Sequence, residues 1–380
     1  MTNIDYVESC DTTMLTASDL ENLTDRLAKA DGPADICNTW PDEIWAILSE
    51  YRAFHWLVPQ EFGGEGCDRL TLMQRYLAIA QGSLTAAFML TQHDAAIRRI
   101  IPAVRVDTSG EPNTAAKWLS RIVSENLTTT VGISQLTISI RRGERAMGAT
   151  PTANGGYRLD GFMPWVTGAE KAAVFVTGGT IEDGRQILAL VPSDRPGVMI
   201  QQPEPLAALN ASRTTEVMCQ SVEIQADEVL AGPIANVITS KQAGGTGGLE
   251  TSVLALGQSL AAITFLKHED PTRFDLEVPV ERLESEWTAL KSDIFTIVSG
   301  DNISITPEQI RQRANALASR STQACLIARR GSGFLLTDPA QRWARQALFF
   351  HVWSCPKPVA TASIRDLAGM GESNGCGVLN

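Results

Sequence analysis

Cysteine and histidine, the side chains that most often bind metals or act as nucleophiles, are few and scattered in this chain. The four histidines are far apart in sequence, and the seven cysteines lie at positions 10, 37, 67, 219, 325, 355 and 376. No two cysteines have the spacing of a Cys-x-x-Cys metal site. The sequence therefore predicts no zinc or iron site, and reduced thiols in a cytoplasmic protein.

A glycine-rich run at 244–248 reads Gly-Gly-Thr-Gly-Gly. A phosphate-binding loop of this kind needs a Lys-Ser or Lys-Thr pair after its last glycine, and the pair is missing here. The run is therefore interpreted as a connection between elements.

The most distinctive aromatic and polar segment is Trp165-Val166-Thr167, between two strand patterns. The first pattern, at 158–163, follows the turn residues Gly155-Gly156-Tyr157, and an apolar run at 172–176 comes next. Glycine-bounded runs of this length are typical of short β-strands. The segment is thus placed inside a β-domain.

The elements around this segment change character twice. Helical spacing and helix-start residues predict helices beginning near Thr16 and over 40–57 and 70–89. Residues 130–232 hold short strand patterns separated by turns. Helical patterns resume over 249–266, 277–298, 305–329 and 339–353. The predicted fold class is α+β, with an N-terminal helical domain over 1–128, a small β-barrel or sandwich domain over 129–235 and a C-terminal helical bundle over 236–380.

Charge and composition exclude some classes of protein. The chain has 380 residues and a formal net charge of −11. An acidic protein with only short basic clusters is a poor candidate for nucleic-acid binding. No apolar run approaches the ~20 residues of a membrane-spanning helix, and the N-terminus lacks the pattern of a signal peptide.

Five motifs in this order resemble those of the acyl-CoA dehydrogenase family, a family of flavoproteins. The matches run from about residue 40 to residue 360. They lie at 56–66 (Trp-Leu-Val-Pro-Gln-Glu-Phe-Gly-Gly-Glu-Gly), 157–168 around Trp-Val-Thr, 194–198 (Asp-Arg-Pro-Gly-Val), 221–230, and 330–347 with Arg-Gly-Ser-Gly-Phe and Gln-Arg-Trp-Ala-Arg. The resemblance implies a helical, then β, then helical fold that binds FAD.

The resemblance also implies which residues carry the chemistry. In the family a carboxylate removes the α-proton of an acyl thioester while a hydride passes to the flavin. Most members place that carboxylate where this chain has Ser354, whose hydroxyl cannot be the base. A second family pattern places it where Glu250 stands, so Glu250 is the predicted catalytic base. The predicted FAD-binding residues are Ser134, Gln135, Thr137, Trp165, Val166, Thr167, Arg273, Gly331 and Gly333.

Departures from the family pattern leave three functional hypotheses open. The Gly-Ser-Asp after the Ser134 position is absent, and the stretch 268–275, where a pyrophosphate-binding arginine is expected, holds several acids. The first hypothesis is a dehydrogenase of an acyl thioester carried by CoA or a carrier protein, with an electron-acceptor flavoprotein as partner. The second is an oxidase or monooxygenase that uses oxygen, with His351 near the flavin. The third is a degenerate subunit that pairs with a paralogue. A homodimer or homotetramer is expected, because the apolar 249–266 helix needs cover.

Overall fold

The computed structural model describes residues 15–105, 110–137, 146–240, 248–269, 274–301 and 304–370. Helices come first, two four-stranded sheets follow, and helices close the chain. Arg273, one of the predicted flavin ligands, lies outside the described residues.

The N-terminal helices begin at side chains that cap them. They are α1 (Ala17–Ile36), α2 (Asp42–Glu50), α3 (Arg69–Gly82), α4 (Leu84–Ile100) and α5 (Thr114–Ser124). Thr16 caps α1 and Asp68 caps α3, each accepting a hydrogen bond from the third backbone N–H of its helix. Such caps satisfy donors that the first helical turn leaves unpaired. Asn113 caps α5 in the same way.

One predicted helix, over 70–89, is two helices. Gly82 ends α3, and the Ser83 hydroxyl caps α4 by accepting from the N–H of Ala86 at 3.0 Å. A Cβ on Gly82 would lie 2.4 Å from the carbonyl oxygen of Thr24, so α1 approaches the backbone there too closely for a side chain. The prediction of one helix was wrong because this break depends on a tertiary contact. The predicted 40–57 helix is likewise shorter, since α2 ends at Glu50.

The strands form two sheets. The first has the order β1 (Thr129–Gly132), β4 (Val174–Thr177), β5 (Gln186–Pro192), β8 (Val229–Ile234), and the second has β2 (Met147–Pro151), β3 (Tyr157–Val166), β7 (Thr215–Ile224), β6 (Val198–Ile200). Strands β1 and β4 pair in parallel, and the other pairs are antiparallel.

Alternating side chains give the first sheet two buried faces. Phe175 packs towards the second sheet, in a core that also holds Leu159 and Val217. Its neighbours Val174 and Val176 pack instead with α4 and α5. Side chains of a strand point alternately to opposite faces, so one face of the sheet can pack against the second sheet while the other packs against helices. The result is a β-sandwich with α4 and α5 against its outer face.

The C-terminal helices share a core with the N-terminal ones. They are α6 (Glu250–Lys267), α7 (Glu277–Val298), α8 (Pro307–Arg329), α9 (Pro339–Ala347), α10 (Phe349–Val352) and α11 (Lys357–Leu367). Helix α6 packs against α3, α7 and α8, which bury its apolar residues within this chain. Covering α6 therefore needs no second subunit. The expected oligomer stays a prediction.

In the part of the chain that the structure describes, no helix is long and apolar enough to cross a membrane. The predicted domain boundaries stay predictions.

Candidate functional site

The Trp165 segment ends strand β3, close to the end of β1. Trp165 is 41% exposed, whereas Val166 is fully buried. An added Cβ on Gly132 would lie 2.4 Å from the Met163 sulfur and 3.2 Å from a Val166 methyl. Glycine at position 132 thus allows β1 to approach β3 closely.

A tight turn over Ser134–Leu136 follows β1 and packs against β3. The Gln135 amide nitrogen donates to the carbonyls of Gly132 and Gly178 and to the Thr177 hydroxyl, at 2.8–3.0 Å. Its amide oxygen and the Ser134 hydroxyl are buried without a hydrogen-bond partner. Buried polar atoms rarely remain unpaired. The Gln135 oxygen can accept a hydrogen bond from a polar ligand next to β3, and the Ser134 hydroxyl can donate or accept one.

Two other predicted flavin ligands have internal partners. The Thr137 hydroxyl donates to the Ser134 carbonyl at 2.7 Å. Thr167 is buried, and its hydroxyl lies 2.9 Å from that of Thr214, which in turn lies 2.8 Å from that of Ser212. The structure therefore packs the turn that holds Ser134 and Gln135 against β3, and these two residues carry the unpaired atoms.

Glu250, the predicted base, is the first residue of α6 and is mostly buried, with 13% of its side chain exposed. One carboxylate oxygen lies 3.8 Å from a guanidinium nitrogen of Arg98 on α4. The other accepts from the backbone N–H of Leu249 at 3.2 Å. Glu250 is thus a carboxylate held beside one cation, with part of its surface open.

A second carboxylate in this cluster escaped the sequence analysis. Asp94 on α4 is fully buried, and the Tyr76 hydroxyl on α3 donates to its Oδ2 at 2.5 Å. The pKa of Asp94 is raised to about 7, mainly by burial and also by the charge of Glu250, whereas Tyr76 and Arg98 act in the opposite direction. Helix α4 carries charged residues on a face that packs inside the protein. Charged residues within such an apolar helix are the sequence pattern that could have indicated the site.

Helix α4 connects this cluster to the strands. His93, next to Asp94, is buried; the N–H of Thr129 in β1 donates to its Nδ1 at 3.2 Å. Its Nε2 lies 2.9 Å from the carbonyl of Phe54, so Nε2 carries the proton. Burial lowers the pKa of His93 to about 4. His93 thus fixes α4 to β1, and the adjacent Asp94 supplies a carboxyl group between α3 and α6.

The remaining predicted residues lie elsewhere. Gly331 and Gly333 belong to a turn over Arg330–Phe334 that packs on α8 and α9. His351 on α10 is partly buried, with Nε2 2.8 Å from the Ser319 hydroxyl and Nδ1 buried without a partner. Burial, and then the charge of Arg311, lower the pKa of His351. Ser354 follows α10 with φ of 45°.

The chain is similar to known proteins more strongly in architecture than in sequence. No family model matches the chain. A dibenzothiophene monooxygenase of Rhodococcus erythropolis is 27% identical over 191 residues, which are 48% of this chain and 43% of that protein. The match thus spans less than half the length of that relative.

Solved structures cover nearly the whole chain. Butyryl-CoA dehydrogenase from Megasphaera elsdenii superposes with a TM-score of 0.75 at 16% identity, over 93% of this chain and 99% of that one. Dibenzothiophene monooxygenase from Paenibacillus sp. A11-2, in complex with FMN and indole, gives 0.75 at 16% identity, over 92% and 95%. The chain has the acyl-CoA dehydrogenase fold, and the predicted fold class is confirmed.

Proposed function

We propose that the chain is a flavin-dependent oxidoreductase whose isoalloxazine site lies where β1 and β3 end. The observation that carries the proposal is the pair of unpartnered buried atoms, Ser134 Oγ and Gln135 Oε1, in a turn that packs against β3, the strand that ends at Trp165 and Val166. A flavin ring offers the donors and acceptors that these atoms lack, together with a flat face for an indole. The bound flavin would supply a two-electron acceptor.

The reaction we propose is α,β-dehydrogenation of an acyl thioester. Glu250 takes the α-proton, since it is a partly exposed carboxylate on the helix that packs against α4. Arg98 is the cation paired with its carboxylate, at 3.8 Å. Ser354 takes no part, because a hydroxyl at neutral pH is too weak a base for this proton.

FAD is the proposed cofactor. The fold resembles that of butyryl-CoA dehydrogenase, while one solved neighbour contains FMN. We propose that the adenosine half binds weakly. The described residues between α6 and α7 include His268 and Glu269, and Glu269 already pairs with Arg329 at 3.3 Å. Gly331 and Gly333 pack on α8 and α9, and we propose that they contact a flavin bound by a neighbouring subunit.

A second candidate function is oxygen-dependent, as in a flavin monooxygenase. It is favoured by the relative from Rhodococcus erythropolis and by the solved monooxygenase that shares the fold. The Nδ1 of His351, which is buried without a partner, would then be the group that hydrogen-bonds a polar substrate. The third candidate, a degenerate partner subunit, would bind flavin weakly or not at all.

Rapid mixing of the flavin-loaded protein with a panel of acyl thioesters tests the proposed reaction. Without oxygen, we expect flavin bleaching in the wild type and a rate lower by on the order of 10²-fold in Glu250→Gln, which keeps the shape but not the basicity. Ser354→Ala is the matched control and should bleach normally. Equal rates in wild type and Glu250→Gln would remove Glu250 as the base. Absence of bleaching, with oxygen consumption on an aromatic sulfur compound or indole, would favour the second candidate.

A further inference from the structure

Two carboxylates share one arginine in the interior of the helical layer. Asp94 and Glu250 come from α4 and α6, and Arg98, one turn after Asp94, pairs with Glu250 at 3.8 Å. Tyr76 on α3 donates a hydrogen bond to Asp94 Oδ2. Asp94 Oδ1 has no partner and is buried. The cluster therefore holds two acids, one arginine in direct contact with Glu250 and one phenol, and the charge of the buried Arg99 on α4 acts on Glu250 as well.

This arrangement leaves the buried Asp94 without a directly paired cation, because the arginine in direct contact pairs with Glu250. A buried carboxylate is stable when a cation or several donors compensate it, and Asp94 has one donor only. Arg98 forms its direct ion pair with Glu250. The nearby Cys67 adds no compensation, because burial raises the pKa of its thiol to about 12 and it stays neutral. Burial likewise raises the pKa of Tyr76 well above its usual range, so the phenol stays neutral too.

We propose that Asp94 is a positioning residue of the Glu250 site that holds a proton at neutral pH, so that Arg98 compensates Glu250 alone. Tyr76 fixes the orientation of the protonated carboxyl group. Asp94 then acts on the reaction through Arg98 and not by touching substrate. The inference deepens the proposed function, because its consequence depends on Glu250 taking the α-proton.

A protonated Asp94 leaves Glu250 in direct contact with Arg98 without a second buried negative charge beside the pair. When Asp94 ionises at higher pH, two carboxylates lie near the same guanidinium group, and the charge of each acts on the other. The protonation state of Asp94 therefore changes the electrostatic environment of Glu250.

Difference infrared spectroscopy of the full-length protein tests this directly, with no substrate present. Between about pH 5 and about pH 9, a range that brackets the neutral window, we expect a carboxylic-acid band that disappears on raising the pH. The band should be missing in Asp94→Asn, an isosteric change, and unchanged in Asp25→Asn, whose side chain is exposed. Other buried acids contribute to the spectrum, so the difference between these two variants assigns the band.

Neighbouring substitutions should move the titration in opposite directions. Glu250→Gln removes a negative charge and should lower the titration midpoint by roughly one pH unit, whereas Arg98→Met removes a positive charge and should raise it by a similar amount. Tyr76→Phe removes a hydrogen bond but no charge, and should also raise it. A missing Asp94 band, or a midpoint that none of these three changes moves, would overturn the proposal.

A second readout separates this inference from the proposed reaction. In the dehydrogenase reading, the pH profile of flavin reduction has a transition near neutral pH that Asp94→Asn removes, while reduction itself persists. If the infrared shifts occur but no thioester reduces the flavin, the proposed reaction fails and the charge coupling stands. If reduction depends on Glu250 but Asp94 is ionised throughout, the coupling fails and the reaction stands.

Discussion

Acidification should weaken the native state through His93. The buried imidazole is neutral in the folded protein, where burial lowers its pKa to about 4 from the ordinary 6.5. Between these values the unfolded chain binds a proton that the folded protein does not, so stability is present above about pH 6.5 and is lost as the pH falls towards 4. A depression of about 2.5 units corresponds to about 3 kcal/mol at about 1.4 kcal/mol per unit.

Asp94, the residue after His93, makes stability depend on pH in the opposite direction. A variant is therefore needed to separate the contribution of His93. The raised pKa of Asp94, about 7, means that the folded protein holds a proton which the unfolded chain has lost. Its contribution is complete below about pH 4 and is lost as the pH rises through 7, which is about 4 kcal/mol by the same conversion. The two curves partly cancel in the wild-type protein.

His93→Gln isolates the histidine contribution. Glutamine can still donate to the Phe54 carbonyl and accept from the N–H of Thr129, but it does not titrate. In urea unfolding at several pH values, the stability difference between wild type and variant should change by about 3 kcal/mol between pH 7 and pH 4, to the disadvantage of the wild type at low pH. Parallel curves for the two proteins would refute the assignment of a buried neutral imidazole.

Two further predictions concern assembly and a buried ion pair. Leu335 and Leu336 beside the Arg330–Phe334 turn are 59% and 63% exposed, and Phe334 is 82% exposed. We expect this apolar surface to mediate self-association, so that sedimentation shows an oligomer that the double change Leu335→Ser and Leu336→Ser dissociates. A stable wild-type monomer at micromolar concentration would contradict this expectation. Arg75 is 2% exposed and pairs with Glu65 through two hydrogen bonds. Arg75→Met should lower the free energy of unfolding by roughly 3 kcal/mol, whereas Arg26→Met, at the exposed pair with Glu50, should change it little. Similar losses in the two variants would contradict the role of burial.

Local patterns were enough to predict the order of elements. Helix α7 begins and ends where helical spacing places it, at Glu277 and Val298, because its apolar residues recur along one face. The short alternating runs indicate strands for the same reason. The break at Ser83 could not be predicted, because it depends on α1 packing against Gly82, a contact between segments more than fifty residues apart.

The candidate site was predicted only in part. Glu250 was found through the family resemblance, and its role stays a prediction. Tyr76, Asp94 and Arg98 were missed, because only the packing of α3, α4 and α6 brings them to Glu250. The charges of α4 were a usable sign, since an acid and two arginines in a helix with so many buried residues need partners.

Flavin titration tests the central claim most directly. We expect the flavin-free protein to bind about one FAD or FMN per chain, with a shift of the flavin absorption, since the proposed function requires the cofactor. Trp165→Ala and Ser134→Ala should each weaken binding by roughly tenfold, as the loss of one stacking or hydrogen-bonding contact implies. The exposed Thr150→Ala on β2 is the control and should leave it unchanged. No saturable flavin binding, or binding that neither the Trp165 nor the Ser134 variant affects, would contradict the proposed site.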